Sequence, residues 1–330
     1  MKKKIIFFGS SEFATESLQE IINKKYNLIA VVTNPDKRSG RGMKISETKI
    51  KLLAKKYNVN IFQPEDLNND DFKSKLKKIE PDLFIVVAFK KLPEQIWGIP
   101  KLGTFNLHAS LLPMYRGAAP INWAIINGEK ETGLTTFFIN NKIDFGNIIM
   151  QEKCIIKENE TFGELYKKLM KLSPNIISQT IEKIFKGNLK TEKQLESKNQ
   201  IKAPKIFKKD IIINWKQNCK KIFDFIRGFS PNPGARTTLQ IRNKKNENKE
   251  QQIIITKVSN YQSIKHTEKQ KNEKFELLFN SKEKKIIVQN HNGRFYIEKI
   301  KIPGKKEIDA VSFGNGFLNK KENIGFYYFI

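Results

Sequence analysis

Three short runs in the first third of this chain are apolar at every position: Ile5–Phe8, Leu28–Val32 and Leu83–Ala88. A strand that meets water on one face alternates polar with apolar residues, so unbroken runs of this length belong to strands buried on both faces. The stretches between them carry a helical period instead. Phe13, Leu18, Ile21 and Ile22 form one apolar stripe, Ile50, Leu53, Ala54 and Tyr57 another, and Phe72–Ile79 a third that stops before Pro81. Thr104–Leu107 and Thr135–Ile139 read as further strands. Strands that alternate with helices predict an α/β fold, a Rossmann-like, mostly parallel sheet with helices on both faces. Ligands of such sheets bind beyond the carboxyl ends of the strands. Gly9-Ser10-Ser11 follows the first strand with one glycine and so makes no dinucleotide-binding fingerprint.

The texture then changes. Thr161-Phe162-Gly163-Glu164 is a capping box that opens a helix running to about Phe185. Residues 186–200 are polar without an apolar period. The predicted division is a first domain over 1–189, a linker over 190–205 and a second domain over 206–330. The second domain opens on a helix within Trp215–Gly228, with Ile222, Phe225 and Ile226 on one face. Short β-like runs follow at Thr237–Ile241, Gln252–Val258, Phe275–Phe279, Ile286–Gln289 and Arg294–Ile302, with Asn292-Gly293 as a hairpin signal. They predict a smaller C-terminal β-barrel, with residues 243–251 and 260–274 as exposed loops.

Composition narrows the function classes. No apolar stretch is long enough to span a bilayer, and the opening Met1–Gly9 reads as a first strand rather than a signal peptide. Two cysteines, Cys154 and Cys219, make neither a disulfide framework nor a thiolate zinc site. Three histidines, His108, His266 and His291, are too scattered for a metal centre, so none is expected. The expected compartment is the reducing cytoplasm. The net charge of +27 fits a polyanionic partner. It fits equally well a lysine-, isoleucine- and asparagine-rich composition with no binding role. Residues 201–330 hold 28 Lys and Arg against 12 Asp and Glu, a net +16, so the excess is denser there.

The stretch that carries chemistry is Asn106-Leu107-His108-Ala109-Ser110-Leu111-Leu112-Pro113, continued by Tyr115-Arg116-Gly117. Asn106 and His108 are two apart at a strand end and project from one face. A carboxamide N–H and an imidazole there can reach one developing oxyanion, and the imidazole can move a proton near neutral pH. Asp144, in Ile143-Asp144-Phe145-Gly146, follows the next strand and can meet that pair at the same sheet edge. An Asn, a His and a carboxylate suit acyl transfer to an amine, although a lone strand-end histidine or an Asp before Gly is often only structural.

The same stretch resembles the signature of enzymes that use 10-formyltetrahydrofolate as a formyl donor, a likeness running over nearly the whole first 190 residues. In that family an Asn, a His and a later Asp form the catalytic group, and the resemblance places these roles on Asn106, His108 and Asp144. It also implies that Ser110, Leu111, Leu112 and Pro113 lie along the folate. Further stretches resemble members that formylate the amino group of methionyl-initiator tRNA. They are Gly9–Ala14, the basic stretch Asn34–Lys44, Ala203-Pro204-Lys205-Ile206, Asn214-Trp215 and Ile226–Ala235. The implied function is formyl transfer to that tRNA by direct attack, with Asp144 orienting His108 and helping to remove the amine proton. The basic stretch is read as a pliable loop, with Gly40 and Gly42 beside Lys37, Arg38, Arg41 and Lys44, which would meet tRNA phosphates. A monomer is the expected state. The carboxylate stretch departs from the family pattern, with amides at Asn140 and Asn147 and Phe145 in place of a Thr. A formyl transferase or hydrolase acting on a small molecule, or a non-catalytic RNA-binding protein, are the alternatives.

Overall fold

The computed structural model describes residues 2–39, 44–187, 189–195, 200–242, 248–264, 275–280, 283–318 and 327–329. In chain order the first elements are β1 (Ile5–Gly9), α1 (Thr15–Asn23), β2 (Leu28–Val32), β3 (Lys37–Ser39), β4 (Lys44–Ser46), α2 (Lys49–Lys56), β5 (Asn60–Phe62), α3 (Asp70–Ile79), β6 (Leu83–Val87), α4 (Glu94–Trp97), β7 (Thr104–His108), β8 (Arg116–Gly117), α5 (Pro120–Ile126), β9 (Glu131–Phe138), β10 (Ile148–Ile155), α6 (Phe162–Lys186) and β11 (Lys202–Ala203). The chain continues with α7 (Cys219–Gly228), β12 (Ala235–Arg242), β13 (Asn248–Ser263), β14 (Glu276–Asn280), β15 (Lys285–Asn290), β16 (Gly293–Lys301), β17 (Glu307–Asp309), α8 (Ala310–Phe313) and β18 (Tyr327–Phe329). Among the described residues, no helix is long and apolar enough to cross a membrane.

Contacts divide the chain into two compact units. The first comprises Met1–Pro120, Glu131–Ile155 and Tyr166–Pro204, and the second Ile121–Lys130, Ile156–Leu165 and Lys205–Ile330. The first is built on a sheet of order β10-β9-β7-β6-β1-β2-β5. Its pairings from β7 through β5 are parallel, and β9 and β10 add two antiparallel strands at one edge. Every residue of β1 and β6 is buried, as their unbroken apolar runs require. One face packs Ile6, Phe8, Phe84 and Val86 against Leu67, Phe72, Leu76, Leu92 and Ile96. Just before α1, Phe13 meets Tyr166 of α6 edge-on at 5.3 Å, and the Ser17 hydroxyl of α1 donates to Ser173 of α6 at 2.9 Å.

The second unit is an antiparallel sheet that curls into a barrel. Its strands run β13-β12-β18-β14-β15-β16, β17 adds to β16, and β16 also pairs with β13 so that the chain of pairings closes. Phe223, Leu239, Ile255, Val288, Phe295 and Ile300 are fully buried in its core. The start of α7 is capped by Asn218, whose side-chain oxygen accepts from the Lys221 N–H at 2.8 Å. Cys219 lies inside this core, where burial pushes its thiol up to about 12, so it is inert at neutral pH.

Two stretches expected as loops are partly strand. Residues 248–251 and 260–263 belong to the 16-residue β13, while 243–247 and 265–274 lie outside the described residues. The polar ends of β13 are held by backbone pairing, Asn248 with Arg242 and Ser263 with Gly293, which no side-chain pattern announces. Register shifts along β13 and a left-handed Asn260 (φ 54°) let one strand serve both neighbours.

α6 carries Pro174 in its interior, which removes the N–H that would have bonded the Met170 carbonyl. The Ser173 hydroxyl replaces it, donating to Met170 O at 2.8 Å while accepting from Ser17. Ser173→Ala therefore leaves a partly buried carbonyl unpaired and is expected to cost about 1–3 kcal/mol in urea unfolding. The cost should shrink in a Pro174→Ala background, where residue 174 regains its N–H. An equal loss in both backgrounds would refute this account of the helix.

Candidate active site

β7 delivers Asn106 and His108 to the sheet edge. Asn106 is half-buried between Val86 of β6 and Phe137 of β9, and His108 lies opposite Thr135. Being two residues apart, their side chains share one side of the sheet. His108 is 6% exposed, and its Nε2 lies 2.9 Å from the Tyr115 carbonyl oxygen. A carbonyl can only accept, so Nε2 carries the proton and Nδ1 is the nitrogen left for exchange. Nδ1 faces Asp144 Oδ2 across 3.9 Å, too far for a direct hydrogen bond. The ring is thus oriented by Tyr115, a job that sequence reasoning gave to Asp144.

Asp144 sits in the left-handed region, φ 53°, a conformation that costs a non-glycine residue about 1–3 kcal/mol. Its surroundings hold it there. Oδ2 accepts from the Gly117 N–H at 3.0 Å, and the Gln194 amide donates to the carbonyls of Asp144 at 3.2 Å and Gly146 at 2.7 Å. A Cβ at Gly146 would lie 1.5 Å from the Phe138 carbonyl oxygen, so no side chain fits. The Gln194 oxygen accepts twice from Arg116, from Nε at 3.0 Å and Nη2 at 2.7 Å, and Arg116 Nη1 donates to Gln200 at 2.9 Å. The Arg116 guanidinium also stacks on the Phe145 ring at 4.1 Å, and Lys142 approaches the same ring at 4.7 Å.

The segment that carries Tyr115 and Gly117 is stitched to the chain leaving the first unit. β8 pairs in parallel with β11, Tyr115 N donates to Ile201 O at 2.7 Å, and Ala119 N donates to Ala203 O at 3.2 Å. Gly117 (φ 127°) is required here, because a Cβ would stand 2.3 Å from Ala203 O. Residues 190–205, expected as a linker, are therefore partly built into the first unit: Glu192 bridges Ile148, and Gln194 is 3% exposed. Sequence reasoning missed Gln194 because a single glutamine in a polar stretch carries no signal. Arg116 stood inside the recognised motif without an assigned role.

The stretch after His108 turns partly inward. Ser110 is buried and its hydroxyl donates to Met114 O at 2.7 Å, and Leu112 is buried against Phe137 and Ile148. Leu111 and Pro113 are half-buried. Thr135 organises this loop. Its hydroxyl donates to Ser110 O at 2.6 Å and accepts from Leu112 N at 3.1 Å and from Gln151 at 3.0 Å.

The basic stretch, expected as a pliable loop, forms a hairpin. β3 and β4 pair Lys37 with Ser46, Arg38 with Ile45 and Ser39 with Lys44, while Arg41 lies outside the described residues. Lys37 is exposed. The hairpin is anchored at its base. Asn34 N donates to Ser10 Oγ at 3.0 Å, and Lys51 pairs with Asp36 at 2.5 Å and Glu47 at 3.0 Å. Hydrogen bonds from Lys51 and Gln63 hold the Asp36 carboxyl below its usual range.

Two family models, formyl transferase over residues 3–181 and formyl transferase C-terminal domain over residues 205–318, match the chain. The protein belongs to the formyl transferase family. Among relatives of this formyl transferase, the methionyl-tRNA formyltransferase of Porphyromonas gingivalis is 39% identical over 323 residues, covering 96% of this chain and 97% of its own. That of Flavobacterium johnsoniae is 42% identical over 322 residues, covering 97% and 98%. Among solved structures, the sugar 3N-formyl transferase WlaRD, crystallised in the presence of dTDP and 5-N-formyl-THF, shares the fold. Its TM-score is 0.60 at 22% identity, covering 93% of this chain and 100% of that one.

Thr135→Val keeps the shape of the buried side chain but strands Ser110 O and Leu112 N. A loss of about 1–3 kcal/mol is expected in thermal or urea unfolding of this formyl transferase. Faster amide exchange at Leu112 should accompany it, and unchanged exchange there would show that Thr135 does not organise the loop.

Proposed function

We propose that this formyl transferase transfers a formyl group from 10-formyltetrahydrofolate to the α-amine of methionyl-initiator tRNA. The observation that carries this reading is the end-to-end likeness of both units to methionyl-tRNA formyltransferases, 42% over 97% of the chain in one case. It is supported by a site whose free groups suit acyl transfer to nitrogen.

The residues present fit a folate donor in the sense that the chemistry needs a carboxamide donor and a proton carrier but no nucleophile of the protein's own. Ser110 Oγ is engaged with Met114 O, and Cys154 is buried. When bound, the folate supplies the electrophilic formyl carbon. Leu111 and Pro113 are the surface that the 110–113 stretch offers it, since Ser110 and Leu112 turn inward and the peptide groups between them are bonded to Thr135, Gln151 and Met114. Asn106 donates to the carbonyl oxygen as negative charge grows on it. His108 Nδ1 takes the proton that the attacking amine loses, its Nε2–H remaining on Tyr115 O. Asp144, 3.9 Å away, stabilises the imidazolium so formed and leaves room for the amine or one water between the two groups. Nδ1 then returns the proton to the departing nitrogen.

Asp144→Asn keeps the shape and removes the charge, so turnover is expected to fall roughly 10²–10⁴-fold. His108→Ala should be at least as severe. The assay is formyl transfer from 10-formyltetrahydrofolate with charged initiator and elongator methionine tRNAs side by side. Product on the initiator alone supports the reading. Folate turnover independent of tRNA would replace it with a hydrolase or small-molecule transferase, and near-normal turnover of Asp144→Asn would remove Asp144 from the mechanism.

The net +27 and the exposed Lys37 of the hairpin support phosphate contacts, in which Arg38, Arg41 and Lys44 would join. The KM for tRNA should rise steeply with salt. Lys37→Ala should reduce the log–log salt slope by about one. A salt-insensitive KM would rule out phosphate-dominated binding.

A further inference from the structure

We propose that Gln194 is a positioning residue of the transfer reaction, setting the Asp144 carboxylate against His108 from a segment outside the catalytic motifs. The proposal rests on the reading of Asp144 given above.

Gln194 is the inward-turned residue of an otherwise outward-facing stretch: Lys193 is exposed and Leu195 is 75% exposed, while Gln194 is 3% exposed. Its place is fixed from the backbone, because Glu192 exchanges both of its hydrogen bonds with Ile148, N to O at 2.9 Å and O to N at 2.8 Å. At that place the amide uses its whole hydrogen-bonding capacity. The oxygen takes two donors from Arg116, and the nitrogen gives one hydrogen to Asp144 O and one to Gly146 O. The orientation is settled by its partners, since a guanidinium only donates and a carbonyl only accepts.

This geometry acts on both ends of Asp144. Its backbone carbonyl is held by Gln194 directly. Its carboxylate is held by the N–H of Gly117, the residue after the Arg116 that Gln194 grips. The left-handed φ of 53° would relax toward commoner backbone if the two carbonyl clamps were lost, and the carboxylate would swing from its 3.9 Å station beside Nδ1. Misplacement on the scale of 1 Å is enough to cost about 10²-fold in rate. A merely structural glutamine would lower stability without acting through Asp144.

The test is a double-mutant cycle on the full-length enzyme. Gln194→Ala is expected to lower kcat roughly 10–10²-fold, with KM for both substrates changing less than about twofold. Gln194→Met keeps the volume in case the alanine variant does not fold, and should behave the same way. Gln194→Glu retains the acceptor for Arg116 but sets an oxygen against the two carbonyls, so it should not rescue kcat. In an Asp144→Asn background, Gln194→Met should cost less than about twofold, because the carboxylate it positions is already gone. Full additivity, or a wild-type rate for Gln194→Glu, would overturn the positioning role while leaving Asp144 in place. A wild-type rate for Asp144→Asn itself would instead overturn the reading of Asp144, and this proposal with it.

Discussion

The backbone of residues 115–117 is the fixture on which the candidate site depends. It offers one carbonyl to His108 Nε2–H and one N–H to the Asp144 carboxylate, so a single three-residue segment sets the face of the imidazole and the position of the acid. His108 ends β7 and Asp144 lies in the turn between β9 and β10, and neither reaches the other directly. The fixture is itself held from outside, by Ile201–Ala203 running alongside and by Arg116 gripping Gln194. Gly117 makes the close approach possible, because any side chain there would meet Ala203 O. The price is left-handed backbone at Tyr115 (φ 60°) and Asp144, and the stitched segment is what over-determines it.

The sheet explains why the chemistry gathers here. Parallel strands all end at one edge, and the loops leaving them bring polar groups that the buried strands cannot carry. β7 is the last parallel strand before the antiparallel pair β9 and β10, so the chain beyond His108 turns into loop while Thr135 on β9 is still at hand to satisfy it. Gly146, packed under Phe138 O, then brings the chain back as β10 with Asp144 at the turn.

The second unit shows how a motif that looks functional can be structural. Arg227 lies in one of the stretches that mark the family, and in so basic a chain it invites a phosphate. It is 2% exposed, paired with the equally buried Asp224 at 2.8 Å and donating to Glu160 O at 2.8 Å. Gly228 beside it admits α5, whose Asn122 donates to Gly228 O at 2.8 Å and whose Ile126 would collide with a Cβ there. The Ile226–Ala235 stretch is therefore explained by packing among Ile121–Lys130, Ile156–Leu165 and α7. A charge pair so buried is kept by complete pairing rather than by any gain over an apolar core.

By itself the sequence determined the layers and the chemistry-bearing residues. Unbroken apolar runs such as Ile5–Phe8 and Leu83–Val87 can be buried only on both faces, which forces the helix-covered sheet, and the Asn106–Pro113 motif was specific enough to name the family. Short β-like runs likewise announced the antiparallel barrel, though not that β13 and β16 are the strands that close it, a pairing that continues into polar residues such as Gln262 with Arg294 and Ser263 with Gly293. Only the tertiary structure decided which nitrogen of His108 is free, that Tyr115 rather than Asp144 orients the ring, that the basic stretch is an anchored hairpin, and that α5 belongs with the second unit. It alone drew Gln194 from a featureless polar stretch to the back of Asp144. Side-chain pattern reports burial and period, both local properties. Hydrogen bonds that span 27 residues to Asp144 from Gly117, or 78 to Gln194 from Arg116, are set by where the folded chain passes.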